Sequence, residues 1–367
     1  MTPESSQESP RASVLVDLGA LVRNAQRLRA HAGVPLVPMV KADAYGVGMI
    51  PVATALRAVD PWAFGVATVD EGAALRAAGF RERILVFTPV LASELAAAAR
   101  DDLTPTLGDA TLIRAWAGAG RPWHLTVDTG MQRGLAWDAV AALSDVLGAH
   151  PPEGVFTHYH SSDTDEGSVE EQDRRFAAAI AALPVPPSCT HSDNSAAIVR
   201  RQGQPHHLVR PGVFLYGVGS WGPLQPEPVV TVMARILELH AVGVGESVSY
   251  GATWRASRPS TLATVGIGFA DGYRRAFSNC GVGLVHGAVA PVVGLVNMDL
   301  TLVDVTEIPC AVGDVVTLVG DDPLLTVNAV AARGAVSPYE LLTGLRLRLP
   351  RVYRWSPAGS RSGRPRV

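Results

Sequence analysis

Lys41 ends an apolar run, 34–40, that has the length and residue types of a buried strand, although Pro35 and Pro38 lie within it. A lysine at such a strand end is either paired or employed. Desolvation keeps a buried amine deprotonated part of the time, so a buried lysine can hold a carbonyl cofactor as a Schiff base. The plain alternative is a stem lying on the rim of the core with its ammonium in water. Tyr45, Gly46 and Gly48 follow with the glycines of a tight strand-to-helix turn. Further along, Arg133 follows an apolar run at 124–128, His158 ends another at 154–158, and Ser195 opens a helix after His191. Arg210 precedes Pro211, Gly212 and Val213. A hydroxyl and free amides at a helix start suit a phosphate, and a glycine lets backbone approach a ligand closely.

These residues fall on a regular beat. Strand-like runs at 34–41, 63–67, 84–87, 103–107, 124–128, 154–158, 188–191 and 207–210 are each followed by a helix or a loop leading to one. Eight such repeats predict an α/β chain whose first part is a closed (β/α)8 TIM barrel. An open doubly wound sheet is the rival, but no G-x-G-x-x-G follows the first strand. Barrel enzymes carry their chemistry at the C-terminal strand ends. Lys41, Arg133, His158, Ser195 and Arg210 all fall there. After residue 225 short strand-like runs separated by Gly, Pro and Asp predict a mostly β C-terminal domain. The expected organisation is a disordered extension at 1–11, the barrel at 12–225, the β-rich domain at 226–355 and a disordered tail at 356–367.

Composition narrows the partners. A net charge of −3 suggests neither nucleic acid nor an anionic membrane. No run is long and uninterrupted enough to span a bilayer, and the N-terminus lacks the regions of a signal peptide. Cys189, Cys280 and Cys310 are far apart, so neither a metal site nor a disulfide framework is expected, and a reducing cytosol is the simplest compartment.

The motifs at 40–46, 128–133, 156–158, 194–196, 209–212, 215–217, 248–253 and Met298-Asp299 together resemble those of the alanine racemase family, over about residues 12–355. The resemblance implies a pyridoxal 5'-phosphate enzyme interconverting L- and D-alanine, a cytoplasmic isomerase feeding D-alanine to cell-wall (peptidoglycan) synthesis. It implies a homodimer with shared active sites and a small amino-acid substrate. By it, Lys41 is the cofactor lysine and one acid–base group, and Tyr250 of a partner chain is the other. Tyr45, Ser195, Gly212 and Val213 hold the cofactor phosphate. Arg210 faces the pyridine nitrogen, His158 links Tyr250 to Arg210, and Arg133 and the Met298 backbone meet the substrate carboxylate. Two groups suit the reaction, because one base cannot easily reach both faces of Cα. Tyr250, with an ordinary pKa of about 10, needs nearby positive charge to act as a base.

Several positions depart from the family. Thr126 stands where many members carry a carbamylated lysine, and Phe269 and Leu295 replace a tyrosine and an arginine at the substrate entrance. Asn297, Val47 and Leu347 differ as well. The same chemistry on another small amino acid, such as serine, is the near alternative. Barrel-type decarboxylases lack support, because no catalytic-cysteine motif is present in the second domain. Cofactor-binding barrels without turnover lack that domain altogether.

Overall fold

Pro35 and Pro38 set the character of the strand that leads to Lys41. Neither has an amide hydrogen, so regular pairing is interrupted there. The carbonyls still serve: Pro35 O accepts from Val209 N at 3.2 Å and Pro38 O from Gly65 N at 2.9 Å. In this computed structural model, which describes residues 10–357 apart from 165, 202 and 220, the segment pairs only through parallel bridges, Leu36 with Val209 and Met39 with Gly65.

The remaining barrel strands are Phe64–Val66, Ile84–Val86, Thr104–Leu107, His124–Asp128, Gly154–Phe156 and Cys189–His191, each parallel to the next. A bridge from His191 to Leu208, with the two bridges above, closes the ring. The eightfold alternation is therefore observed, with its first and last members as irregular segments. Val37, Ala63, Leu85, Cys189 and Leu208 form one buried cluster inside it. Most strands are buried throughout their length, as a sheet covered on both faces requires. Helices return the chain, and side chains cap them. Thr68 and Glu71 form a capping box before Val69–Ala77, and Asp109 accepts from Thr111 N and Leu112 N. The helical stretch after the His124–Asp128 strand starts as a 3-10 turn, Trp137–Leu143, before Ser144–Ala149.

The chain divides into two units, Leu21–Glu227 and a second comprising residues up to 20 with those from 228. The second is a mixed sheet around the long strand Val230–Val242, whose first half alternates buried and half-buried residues. It pairs antiparallel with Ala12–Asp17, Ser260–Val265 and Val315–Val319. Arg351–Arg354 adds in parallel to Ala12–Asp17. The strand at 12–17 thus belongs to this sheet and not with the barrel, as the span 12–225 had it. Pairing with two distant strands outweighs its nearness in sequence to the first barrel helix.

The tail from 358 and the extension before residue 10 lie outside the described residues. Arg11 lies inside the expected extension and is fixed, donating to Gly266 O and Asp299 O. Among the described residues no helix is long and apolar enough to cross a membrane.

Candidate active site

Lys41 opens a turn of unusual backbone. Ala42, Asp43, Ala44 and Tyr45 have φ of 53°, 53°, 53° and 56°, one left-handed turn built from four L residues. Each costs about 1–2 kcal/mol in that region. Two carboxylates secure it. Asp43 Oδ1 accepts from Met49 N at 2.7 Å. Glu71 Oε1 accepts from Ala42 N at 2.6 Å, and its Oε2 from Ala67 N at 2.7 Å. The turn points the Lys41 amine into a cationic neighbourhood. Burial holds its pKa below the usual lysine value, Arg133 and Arg210 push the same way, and Glu71 opposes them. Lys41 is the single lysine of the chain, against 30 arginines.

Arg210 is buried without a carboxylate in hydrogen-bond contact. Its Nη1 meets His191 Nδ1 at 2.8 Å, and its Nη2 donates to Thr157 O and Ser192 O, both at 2.8 Å, with His158 Nδ1 at 3.3 Å. The guanidinium also lies over the rings of Phe156 and Phe87, at 5.2 and 5.7 Å. Burial brings its pKa down to about 10, which still leaves it charged near neutrality. The N–H at Nε is not used by any of these contacts, nor is the second hydrogen on Nη1. His158 is held neutral, its pKa pushed to about 3 by burial and then by Arg210, Arg133 and Lys41.

A cradle lies beside them. Gly212 N and Phe214 N donate to Ser195 Oγ at 2.9 and 3.3 Å. With its lone pairs so occupied, the Ser195 hydroxyl has only its hydrogen to offer. A Cβ on Gly212 would fall on the Tyr45 hydroxyl, so only glycine lets the tyrosine approach the backbone there. Tyr45 stacks on Tyr216 with ring centroids 4.7 Å apart, and Tyr216 donates to Met39 O.

Arg133 lies on an exposed loop shaped by Asp128, whose Oδ1 accepts from Gly130 N and Gln132 N, both at 2.9 Å. A cavity of about 200 Å³ beside it is lined by Thr106, Thr126, Arg133 and Gly134 among others. Thr126 packs against Gly134, where a Cβ would meet its carbonyl oxygen at 2.8 Å and its hydroxyl at 2.9 Å.

The barrel unit therefore brings Lys41, Tyr45, Arg133, His158, Ser195, Arg210, Gly212 and Val213 to its C-terminal strand ends. Tyr250 and Met298 belong to the other unit. Tyr250 is 69% exposed and sits on a tight turn, flanked by Ser249 at φ 64° and Gly251 at φ 69°. Ser249 Oγ donates to Leu295 O at 2.8 Å and lies 3.0 Å from the side-chain amide of Asn297. Two of the departing positions thus brace the tyrosine turn. Met298 is 56% exposed and Phe269 38%. Glu71 and Gln172 escaped the sequence reading. Gln172 is buried and donates to Thr129 Oγ1 and to His158 O, steadying the histidine strand end. The signal for Glu71 was present, as the third residue of a Thr-x-x-Glu capping box.

The family model for the alanine racemase N-terminal domain matches residues 16–220, and that for the C-terminal domain matches 229–353. The chain is 38% identical to the alanine racemase of Acidiphilium cryptum, covering 93% of this chain and 98% of that one. It is 37% identical to the Sorangium cellulosum alanine racemase, over 86% and 90% of the two chains. The crystal structure of the Bartonella henselae alanine racemase with covalently bound pyridoxal phosphate superposes with a TM-score of 0.88 at 29% identity, covering 94% of this chain and 100% of that one. The Bacillus anthracis alanine racemase with bound L-Ala-P gives 0.87 at 30% identity, covering 97% and 98%. By sequence along both domains and by fold, the chain belongs to the alanine racemase family.

Proposed function

We propose that the protein interconverts L- and D-alanine with pyridoxal 5'-phosphate, using Lys41 and, from a second copy of the chain, Tyr250 as its two bases. The observation that carries this is the convergence at one barrel rim of an amine of lowered proton affinity, a buried guanidinium with spare hydrogens, and the Ser195–Gly212 cradle. An aldehyde, a ring nitrogen and a phosphate on one rigid molecule ask for those three things. The absence of a side chain at Gly212 lets the Tyr45 hydroxyl lie directly against its backbone, which suits a phosphate held by Ser195, Tyr45 and the backbone at 212–213. When bound, the cofactor withdraws electrons from the substrate Cα and makes its proton acidic.

The protein's own groups then divide the work. Arg133 holds the substrate carboxylate with the Met298 backbone. Lys41 exchanges a proton on one face of Cα and the Tyr250 oxygen on the other. Arg210 keeps its charge, so it supports the ring nitrogen as a donor without surrendering a proton. His158 accepts from Arg210 at Nδ1, so its hydrogen lies on Nε2, where it can steady the Tyr250 oxygen. The exposure of Tyr250, Phe269 and Met298 on the second unit favours a homodimer in which these residues complete the partner's site. Three free thiols suit a reducing cytoplasm, and D-alanine for peptidoglycan is the product's expected use. The named relatives give serine no support as the substrate.

The deciding experiment incubates the purified protein and pyridoxal phosphate with single-enantiomer amino acids in deuterated water. Chirality and Cα deuterium are scored together. Racemisation with exchange on alanine is expected, and exchange on serine alone would replace the substrate.

A further inference from the structure

Arg210 meets a second histidine on its inner side, and the links continue beyond it. A guanidinium carries hydrogens and no acceptor. Its Nη1 lies 2.8 Å from His191 Nδ1, so that nitrogen accepts and the ring's hydrogen sits on Nε2. His191 Nε2 lies 2.8 Å from His124 Nδ1, which must accept in turn, leaving the hydrogen of His124 on its own Nε2. That N–H is 3.6 Å from Glu153 Oε2, and neither atom has another partner.

Both rings are wholly buried. His124 opens the strand His124–Asp128, and Glu153 precedes the strand Gly154–Phe156. The contacts therefore descend from the rim at Arg210 to the N-terminal floor of the barrel. The two hydrogen-bonded links, Arg210 to His191 and His191 to His124, donate in the same direction. Protonating either ring would set two hydrogens against each other in a 2.8 Å gap. Burial lowers the pKa of both rings and Arg210 adds to it, in keeping with neutral rings. His191 is also clamped, lying parallel to Phe156 with centroids 5.0 Å apart.

We propose that His191 and His124 form a one-way hydrogen-bond relay through the barrel interior, oriented at its far end by the nearby Glu153 carboxylate, that fixes the plane of the Arg210 guanidinium, with His124 and Glu153 as positioning residues. The tautomers follow from Arg210 alone. The effect on turnover rests on the reading of Arg210 as the cofactor's ring-nitrogen contact.

Ring nitrogen-15 NMR of the full chain, with and without cofactor, tests the tautomers, with signals assigned by their loss in single variants. Both rings are expected neutral with hydrogen on Nε2. A hydrogen on Nδ1 of either ring, or a doubly protonated ring at neutral pH, overturns the relay. Kinetics test the positioning. His124→Leu leaves His191 without an acceptor, and kcat is expected to fall roughly tenfold with KM nearly unchanged. The holoenzyme's visible absorption is expected to shift with it. His124→Asn, whose Oδ1 can replace Nδ1 as the acceptor, should recover most of the loss. Glu153→Leu, at the half-buried floor, should cost roughly threefold in kcat by the same misplacement. Wild-type kcat in both leucine variants, or equal losses in His124→Leu and His124→Asn, overturns the positioning role. A wild-type protein that lacks racemase activity yet shows both Nε2–H rings upholds the relay and removes the functional reading instead.

Discussion

Arg210 Nη2 lies 3.3 Å from His158 Nδ1, and because a guanidinium has hydrogens but no acceptor, that nitrogen faces it with its lone pair and the hydrogen of His158 sits elsewhere. Nε2–H becomes the outward donor. A neutral histidine with a pKa near 3 cannot serve as an acid or base at working pH, so its part is to hold a partner oxygen in place. Under the proposed function the proton transfers fall to Lys41 and Tyr250. Tyr250→Phe is therefore expected to lose racemisation by roughly 10³-fold, within the range of a lost general base. It should retain Cα exchange on one enantiomer. Isotope exchange measured separately on L- and D-alanine checks this, and retained racemisation of both would be incompatible with a two-base site.

Lys41 offers an unusually clean chemical test. With one lysine in 367 residues, borohydride treatment of the protein with pyridoxal phosphate should fix a single side-chain adduct, read by intact mass and peptide mapping. Lys41→Arg keeps the charge but has no deprotonated amine to offer. It should show no such adduct and no activity.

Glu71 restrains the left-handed turn through Ala42 N and Ala67 N. Charge-assisted hydrogen bonds contribute about 1.5–3 kcal/mol, so Glu71→Ala should lower the unfolding free energy by about that much. It should also lower the proton affinity of Lys41 further, since Glu71 is the group that raises it. Urea denaturation reports the first effect. The pH dependence of amine acylation in the cofactor-free protein reports the second, and an unchanged profile would separate Glu71 from Lys41.

Acid should destabilise the fold through its buried histidines. His158 stays neutral down to about pH 3 and His206 to about 4, both lowered first by burial from an ordinary 6.5. The unfolded chain binds those protons below 6.5 and the folded chain does not. Stability is thus full above about pH 6.5 and falls as pH drops towards 3, by at most about 1.4 kcal/mol per pH unit for one group. Thermal midpoints recorded across that window check it.

Gly212→Ala places a methyl against the Tyr45 hydroxyl. Cofactor affinity should weaken by roughly tenfold, about 1.4 kcal/mol, with little effect on the catalytic step once the site is saturated. Fluorescence titration of the cofactor-free protein measures the first and kcat the second.

The barrel's periodicity was legible because each strand is short, apolar and followed by a helical stretch, and the rim residues were legible because strand ends mark them. The strand at 12–17 was itself plain to read at 13–16, but its place in the second sheet was not. Its partners, Val230–Val242 and Arg351–Arg354, lie more than 200 residues away, and alternation cannot name a distant partner. The left-handed turn after Lys41 was hidden because its four residues include no glycine before Gly46, and positive φ is ordinarily read from glycine or asparagine. His124 reads as the first residue of a strand, and only the fold sets its ring against His191. One clue lay in plain view: among 30 arginines the chain has a single lysine, and it stands at the strand end where the proposed function needs an amine.

The closure of the barrel through 35–40 and 207–210 bears on how the site is assembled. Val37 N donates to Val209 O at 2.8 Å and Met39 N to Pro211 O at 2.9 Å, contacts that span most of the unit. Loops of that length close at an entropic cost that nearer strand pairs do not carry. Lys41 and Arg210 flank this seam, so they come within reach of one ligand only when the first and last strands meet. Hydrogen exchange during refolding should show protection at 37–40 and 208–210 arriving with cofactor-binding competence and after the strands between 84 and 128. A chain halted before that step would have most of its barrel and none of its chemistry.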